Sequence, residues 1–250
     1  MDFKNKCVFI TGISKGIGRA TALEFAKCHA TVLGCARSSE NDIRSLENEL
    51  EELGVSYRIF KANVSDYASM QEIISECENA YGKIDVLINN AGIIRDASLG
   101  KMMESQWDEV IENNAKSVFV CTKLVSQVMK RNCYGKIVNV SSIAVSNPNR
   151  GQSNYAASKG AIEAFTRCIA IELAKYGINV NCVAPGCIDT PMYDNVSNDV
   201  INSFKKGIPL GRFGTGKDIA NAILFLSSPY AEYITGETIR IDGGFSVSLL

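Results

Sequence analysis

Short apolar runs rich in β-branched residues alternate with longer amphipathic stretches along the whole chain, and no other feature restricts the fold as much. The runs lie at 6–11, 31–36, 55–61, 84–89, 135–141, 178–184 and 237–242. The helical patterns lie at 17–29, 39–53, 66–81, near 104–131, 153–175 and 216–228. Strands this continuously apolar are buried on both faces, so the alternation predicts parallel strands covered by helices on either side. Right-handed crossovers then give a doubly wound, seven-stranded α/β sheet. The 250 residues fit one domain, 1–250, with no linker or internal repeat.

A net charge of −1 argues against a nucleic-acid partner. The absence of an apolar run of about 18 residues argues against a membrane span. Met1-Asp2-Phe3-Lys4-Asn5-Lys6 passes straight into an apolar strand without a signal-peptide pattern, which predicts a cytoplasmic protein. Nine cysteines without a C-x-x-C spacing predict reduced thiols. Cys7, Cys35, Cys121, Cys168 and Cys182 fall in apolar runs and read as small buried hydrophobes; Cys187 is the thiol expected near a pocket. His29, the only histidine, is expected in the last turn of the first helix. With one histidine, neither a His-rich metal site nor a Ser-His-Asp triad can be assembled, and no metal is expected.

The chemistry gathers around Tyr155-Ala156-Ala157-Ser158-Lys159. On a helix Tyr155 and Lys159 lie one turn apart on one face. A phenol has a reference pKa of about 10, and a neighbouring ammonium favours the phenolate and lowers that value. Ser142, arriving from a strand end, can hydrogen-bond the same substrate oxygen. Together the three can give a proton to a carbonyl or take one from an alcohol. The alternative is an ordinary Tyr–Lys pair on an amphipathic helix.

The first strand runs into Thr11-Gly12-Ile13-Ser14-Lys15-Gly16-Ile17-Gly18. Glycines admit a close backbone approach and a helix N-terminus favours a pyrophosphate, although the same cluster can be a tight turn alone. Strand two ends without the acid that would bind a ribose diol. Arg37, and Lys15 from the glycine loop, can instead neutralise a 2′-phosphate, so the expected cofactor is NADP(H). Asn63-Val64 closes strand three where adenine is expected, with Asp66 read either as part of that contact or as a helix N-cap. Asn90-Ala91-Gly92 suits a backbone passing the cofactor ribose, or a turn. Asn114 is an amide in mid-helix, with a structural role or a site water as its alternatives.

In this order, these segments resemble the short-chain dehydrogenase/reductase family, over essentially the whole chain. TGISKGIG, NNAG at 89–92, the Asn114, Ser142, Tyr155 and Lys159 set, and Ala184-Pro185-Gly186-Cys187-Ile188-Asp189-Thr190 carry the likeness. Within the family NNAGIIRD, GQSNYAASKGAIEAFT and YITGETIRIDGG are most similar to 3-oxoacyl-[acyl-carrier-protein] reductases. The resemblance implies a single Rossmann-type domain in a homotetramer. It implies Tyr155 as general acid/base, Lys159 holding the nicotinamide ribose and depressing the Tyr155 pKa, Ser142 orienting the carbonyl, and Asn114 holding a relay water. Thr11, Gly12, Ser14, Gly16, Ile17, Gly18, Pro185, Gly186, Ile188 and Thr190 join the cofactor set, and residues 190–212 form a substrate lid. The implied reaction is reduction of a 3-oxoacyl thioester, with acyl carrier protein as partner.

The positions expected to hold carrier-docking arginines carry Cys133 and Tyr176, with Lys130, Arg131, Lys136 and Lys175 nearby. A hydroxysteroid or other secondary-alcohol dehydrogenase is the second reading. A non-catalytic nucleotide sensor on the same fold is the remote one, disfavoured by the intact Ser142, Tyr155 and Lys159.

Overall fold

In the computed structural model, which describes residues 1–190 and 198–247, the alternation becomes a parallel sheet. Its strands are β1 (Cys7–Thr11), β2 (Thr31–Ala36), β3 (Tyr57–Lys61), β4 (Val86–Asn89), β5 (Gly135–Val140), β6 (Ile178–Pro185) and β9 (Thr238–Ile241). They are ordered β3-β2-β1-β4-β5-β6-β9. All six neighbouring pairs are parallel. The helices are α1 (Gly16–Lys27), α2 (Glu40–Glu52), α3 (Tyr67–Tyr81), α4 (Glu104–Val110), α5 (Ser117–Arg131), α6 (Ser153–Ala174), α7 (Asn198–Gly207) and α8 (Gly216–Ser227).

Period-two alternation sorts each strand into two cores. Val8, Ile10, Val32, Val86, Ile88, Val138 and Val183 point to the face covered by Phe25 of α1, Leu46 and Leu50 of α2, and Ile219 and Ile223 of α8. Phe9, Leu33, Leu87, Ile137 and Val180 point to the other face, under Met70 and Ile74 of α3, Val125 and Met129 of α5, and Leu173 of α6. Each residue step along a strand therefore changes layer, which is why the runs read as continuously apolar.

Three expectations need correction. The single helix at 104–131 is two helices joined by a π-helical segment, Ile111–Lys116, that carries Asn113 and Asn114. His29 lies beyond α1, which ends at Lys27, with φ 65°. Cys168 is exposed on α6, since the apolar run around it spans both faces of the helix. Asp66 caps α3, accepting from the Ala68 N–H at 3.1 Å. The segment expected as a lid contains α7, and just beyond it Gly214–Thr215 (β8) pairs with Ile188–Asp189 (β7). Within that segment, 191–197 with Pro191 lies outside the described residues. Among the described residues no helix is long and apolar enough to cross a membrane.

Candidate active site

Strand order reverses at β1, with β2 on one side and β4 on the other, and a crevice opens at the carboxyl ends of strands about such a switch point. Thr11 and Asn90 stitch its floor. The Thr11 hydroxyl donates to the Ile88 carbonyl at 3.4 Å and accepts from the Asn90 and Ala91 N–H groups, both at 3.0 Å. Asn90 Nδ2 donates to the carbonyls of Thr11 at 2.9 Å and Gly12 at 3.1 Å. Gly12 has φ +66°, and a Cβ there would stand 3.0 Å from Ala91 Cα; a Cβ on Gly18 would stand 2.2 Å from the Gly12 carbonyl oxygen. The glycines thus let loop, helix and β4 meet.

The cavity above this floor has a volume of about 530 Å³. It runs across the strand ends from Lys15, Arg37 and Ser38, past Ala62 and Val64, to Ser142, Tyr155 and Lys159. Gly12, Ser14, Gly16, Ile17, Asn90, Ala91, Gly92, Pro185, Gly186, Ile188 and Thr190 also line it, as the sequence predicts. Thr11, Gly18, Asn63 and Asn114 lie outside the lining among the described residues. Thr11 and Gly18 shape the floor from beneath. Asn63 turns its Oδ1 to the Ser65 N–H and hydroxyl, at 3.3 and 3.1 Å. Asn114, fully buried, accepts from the Ile93 N–H at 2.8 Å and donates to the Ile93 carbonyl at 3.1 Å and Ser158 Oγ at 3.0 Å. Its amide is occupied by protein groups behind the cavity wall.

At the other end Asn147, Asn149, Gln152, Cys187, Phe204 and Phe245 complete the wall. Cys187 is the thiol expected near a pocket, whereas sequence reading missed Phe204 and Phe245, which come from distant parts of the chain and share no motif. Phe204 and Phe245 pack on a small cluster of Cys187, Ile208 and Phe213. Gln152, three residues before Tyr155, lies within GQSNYAASKGAIEAFT.

Lys159 is buried, donates from Nζ to the Val140 carbonyl at 2.7 Å and lies 5.7 Å from the centre of the Tyr155 ring. Burial lowers its pKa to about 8. The Tyr155 phenol is pushed up, chiefly by burial; the hydrogen bond to Ser142 works the other way, and the Asp96 charge adds to the rise. This corrects the expectation that Lys159 depresses the phenol. The lysine is itself stripped of water and bonded to a backbone carbonyl, so desolvation dominates at both groups. Ser142 Oγ also accepts from the Ala144 N–H at 3.1 Å.

The other end suits an anion. α1 has no side-chain N-cap and no acidic residue in its first turn, so its N–H groups face the loop unclaimed by carboxylates. Lys15 Nζ pairs with Asp42 at 2.9 Å. Ser14 and Ser38 share a hydrogen bond of 2.5 Å. An elongated cavity with cations and a bare helix N-terminus at one end, and a phenol, a hydroxyl and a buried amine at the other, fits a nicotinamide dinucleotide lying beside a carbonyl substrate.

The expected carrier-facing patch is smaller than its sequence suggests. Lys136 is buried and donates to Asn179 Oδ1 at 2.7 Å, and Arg131 is paired with Glu78 at 2.6 Å. Lys130 and Lys175 remain, each 5.1 Å from the centre of the Tyr176 ring.

Comparison with known proteins agrees with this geometry. A family model described as enoyl-(acyl carrier protein) reductase matches residues 12–246. The 3-oxoacyl-[acyl-carrier-protein] reductase FabG of Thermotoga maritima is 44% identical over 247 residues, covering 99% of this chain and 100% of that protein. Its Escherichia coli K12 counterpart is 40% identical over 244 residues, covering 98% of each. The crystal structure of levodione reductase superposes with a TM-score of 0.94 at 31% identity, covering 98% of this chain and 99% of that one. Full-length likeness in sequence and fold therefore places the chain in the short-chain dehydrogenase/reductase family of nicotinamide-dependent oxidoreductases.

Proposed function

We propose that the protein is an NADP(H)-dependent reductase of 3-oxoacyl thioesters, working in the cytoplasm as a homotetramer with acyl carrier protein as its carrier. The convergence of Ser142, Tyr155 and Lys159 on one end of the cavity carries this reading, together with the likeness to the 3-oxoacyl-[acyl-carrier-protein] reductase FabG relatives. The bound nicotinamide supplies a hydride to the substrate carbonyl carbon. Tyr155 gives its phenolic proton to the carbonyl oxygen, and a phenol held protonated by burial is the right form for an acid. Ser142 orients that oxygen through its hydroxyl. Lys159, anchored on Val140, keeps a positive charge near the phenol as it loses its proton.

Arg37 supports the phosphorylated cofactor. It lines the cavity and makes no ion pair among the described residues, whereas Lys15 is shared with Asp42. Among the described residues the charged side chains of the cavity wall are Lys15, Arg37 and Lys159. The amides and aromatic rings of the substrate end suit a neutral acyl thioester better than a keto acid or sugar phosphate. Lys130 and Lys175 about Tyr176 support an acidic carrier. Exposed Phe119, Ile171, Tyr230 and Tyr233 support burial of those faces between subunits.

The test is oxidation of NADPH with an acetoacetyl thioester, run beside NADH and a ketosteroid panel. Thioester turnover that strongly prefers NADPH is expected; turnover of steroids alone would discard the acyl substrate. Tyr155→Phe should bind NADPH normally and lose about 100- to 10,000-fold in kcat, and near-normal turnover would remove Tyr155 from the acid/base role.

A further inference from the structure

We propose that Asn154 is a positioning residue that fixes the backbone of Tyr155, and with it the phenol, against the reacting carbonyl; this rests on Tyr155 being the proton donor. Asn154 has no exposed surface. Its Nδ2 donates to the Arg95 carbonyl at 2.9 Å and the Gln106 carbonyl at 3.2 Å. Its Oδ1 accepts from the Tyr155 N–H at 2.8 Å. These partners leave no choice of amide orientation, because reversal would set an oxygen against two carbonyl oxygens.

The place in the helix explains why this contact counts. The first turn of a helix leaves its N–H groups without partners in the helix, and Gln152 provides no side-chain cap for α6. The Tyr155 N–H is one of those groups, and Asn154 satisfies it. The Tyr155 carbonyl is held as well: Ser158 Oγ donates to it at 2.7 Å and in turn accepts from Asn114 Nδ2 at 3.0 Å. Asn114 is bonded to both backbone polar groups of Ile93, and Asn154 to the carbonyl of Arg95. Two buried amides thus grip the polar groups on either side of Tyr155 from one short segment, 93–95, which directly follows the cavity-lining Asn90-Ala91-Gly92.

Gln152 adds a third tie, donating to Asp96 Oδ2 at 3.3 Å while accepting from the Asn149 N–H at 3.1 Å. Asp96 is the carboxylate whose charge reaches the phenol. Ser142 and Lys159 reach the phenol from elsewhere, one from the loop after β5 and the other from the next turn of α6. Releasing Asn154 therefore changes the position of the phenol relative to both, and a general acid tolerates little displacement.

The experiment uses the full-length enzyme and compares wild type, Tyr155→Phe, Asn154→Leu and Asn154→Ser. Steady-state rates are measured across pH with whichever ketone of the thioester and steroid panel the wild type reduces. NADPH affinity is measured separately by fluorescence titration, and folding by thermal melting. In Asn154→Leu, kcat should fall about 10- to 100-fold, with the NADPH Kd within about threefold of wild type. The ionisation limb of kcat should also move by about half a pH unit or more, since the surroundings of the phenol change. Asn154→Ser keeps a short acceptor for the Tyr155 N–H and should recover part of kcat; if the leucine variant does not fold, the serine variant is judged by the same criteria.

Folded Asn154→Leu with kcat within about twofold of wild type would overturn the proposal, as would a serine variant that close if the leucine variant does not fold. So would a loss of kcat matched by an equal loss of NADPH affinity with the limb unmoved, the pattern of a purely structural amide. Tyr155→Phe separates the two levels. If it stays active, the acid/base reading fails; if it is inactive while the Asn154 variants are normal, only the positioning role fails.

Discussion

The two ends of the cavity are built on opposite physical terms. At the glycine end Thr11 and Asn90 satisfy one another's backbone and side-chain groups across β1 and β4, and the glycines closely approach both the backbone and the Asn90 amide. That end stabilises the fold and presents N–H groups to an anion. At the tyrosine end a half-buried phenol on the cavity wall stands beside a buried ammonium, with pKa values displaced in the directions that resist charge. Here the fold gives up stability to keep ionisable groups beside a reacting carbonyl. Substitutions at the first end should therefore damage structure and binding together, whereas those at the second should separate stability from activity.

The largest break is expected at Gly18. An added Cβ would stand 2.2 Å from the Gly12 carbonyl oxygen and 2.6 Å from Asn90 Nδ2, both already packed or bonded. Gly18→Ala should lower unfolding free energy by about 2–4 kcal/mol and weaken NADPH in parallel, read by denaturant melts and titration. An unchanged melt would show that the loop yields more easily than its contacts suggest. Arg37→Asp is subtler, because Arg37 is exposed on the cavity rim and has no packing role. It should shift the preference for NADPH over NADH by about 10- to 100-fold with an unaltered melting temperature. Equal weakening of both cofactors would remove Arg37 from the 2′-phosphate.

What could be read without coordinates follows the same division. The glycine end lies in contiguous segments at strand ends, so Gly12, Gly16, Asn90 and Gly92 were legible from local spacing. Strand positions were legible because burial on both faces gives the runs an unbroken apolar character. The π segment at Ile111–Lys116 was not, since one extra residue in a turn leaves the apolar pattern nearly unchanged. The substrate wall was illegible for another reason. Phe204 and Phe245 meet the rest of the wall only through the tertiary fold, and neither sits in a motif. The direction of the Tyr155 shift was misread because sequence spacing reports the neighbouring charge but not the water both groups lose.

Lys159 tests the tyrosine end most directly. Its pKa is lowered from 10.5 to about 8, with burial the leading cause. A shift of that size corresponds to about 3 kcal/mol of penalty on the charged lysine, and loss of its bond to Val140 offsets about 1 kcal/mol when the residue is replaced. Lys159→Met should therefore be more stable than wild type by about 1–2 kcal/mol near neutral pH while losing most activity. The sign fixes the pH dependence. Below about pH 8 lysine is protonated in both folded and unfolded chains, so the full penalty applies and the methionine variant has its greatest advantage. Between about 8 and 10.5 the folded lysine releases its proton while the unfolded one keeps it, so wild-type stability rises relative to the variant and the gap closes. Paired denaturant melts from neutral pH to pH 10 would show that convergence. A variant less stable than wild type at neutral pH, or a gap that does not narrow, would mean that Lys159 is solvated or paired well enough to stabilise the fold, and the contrast between the two ends would fail.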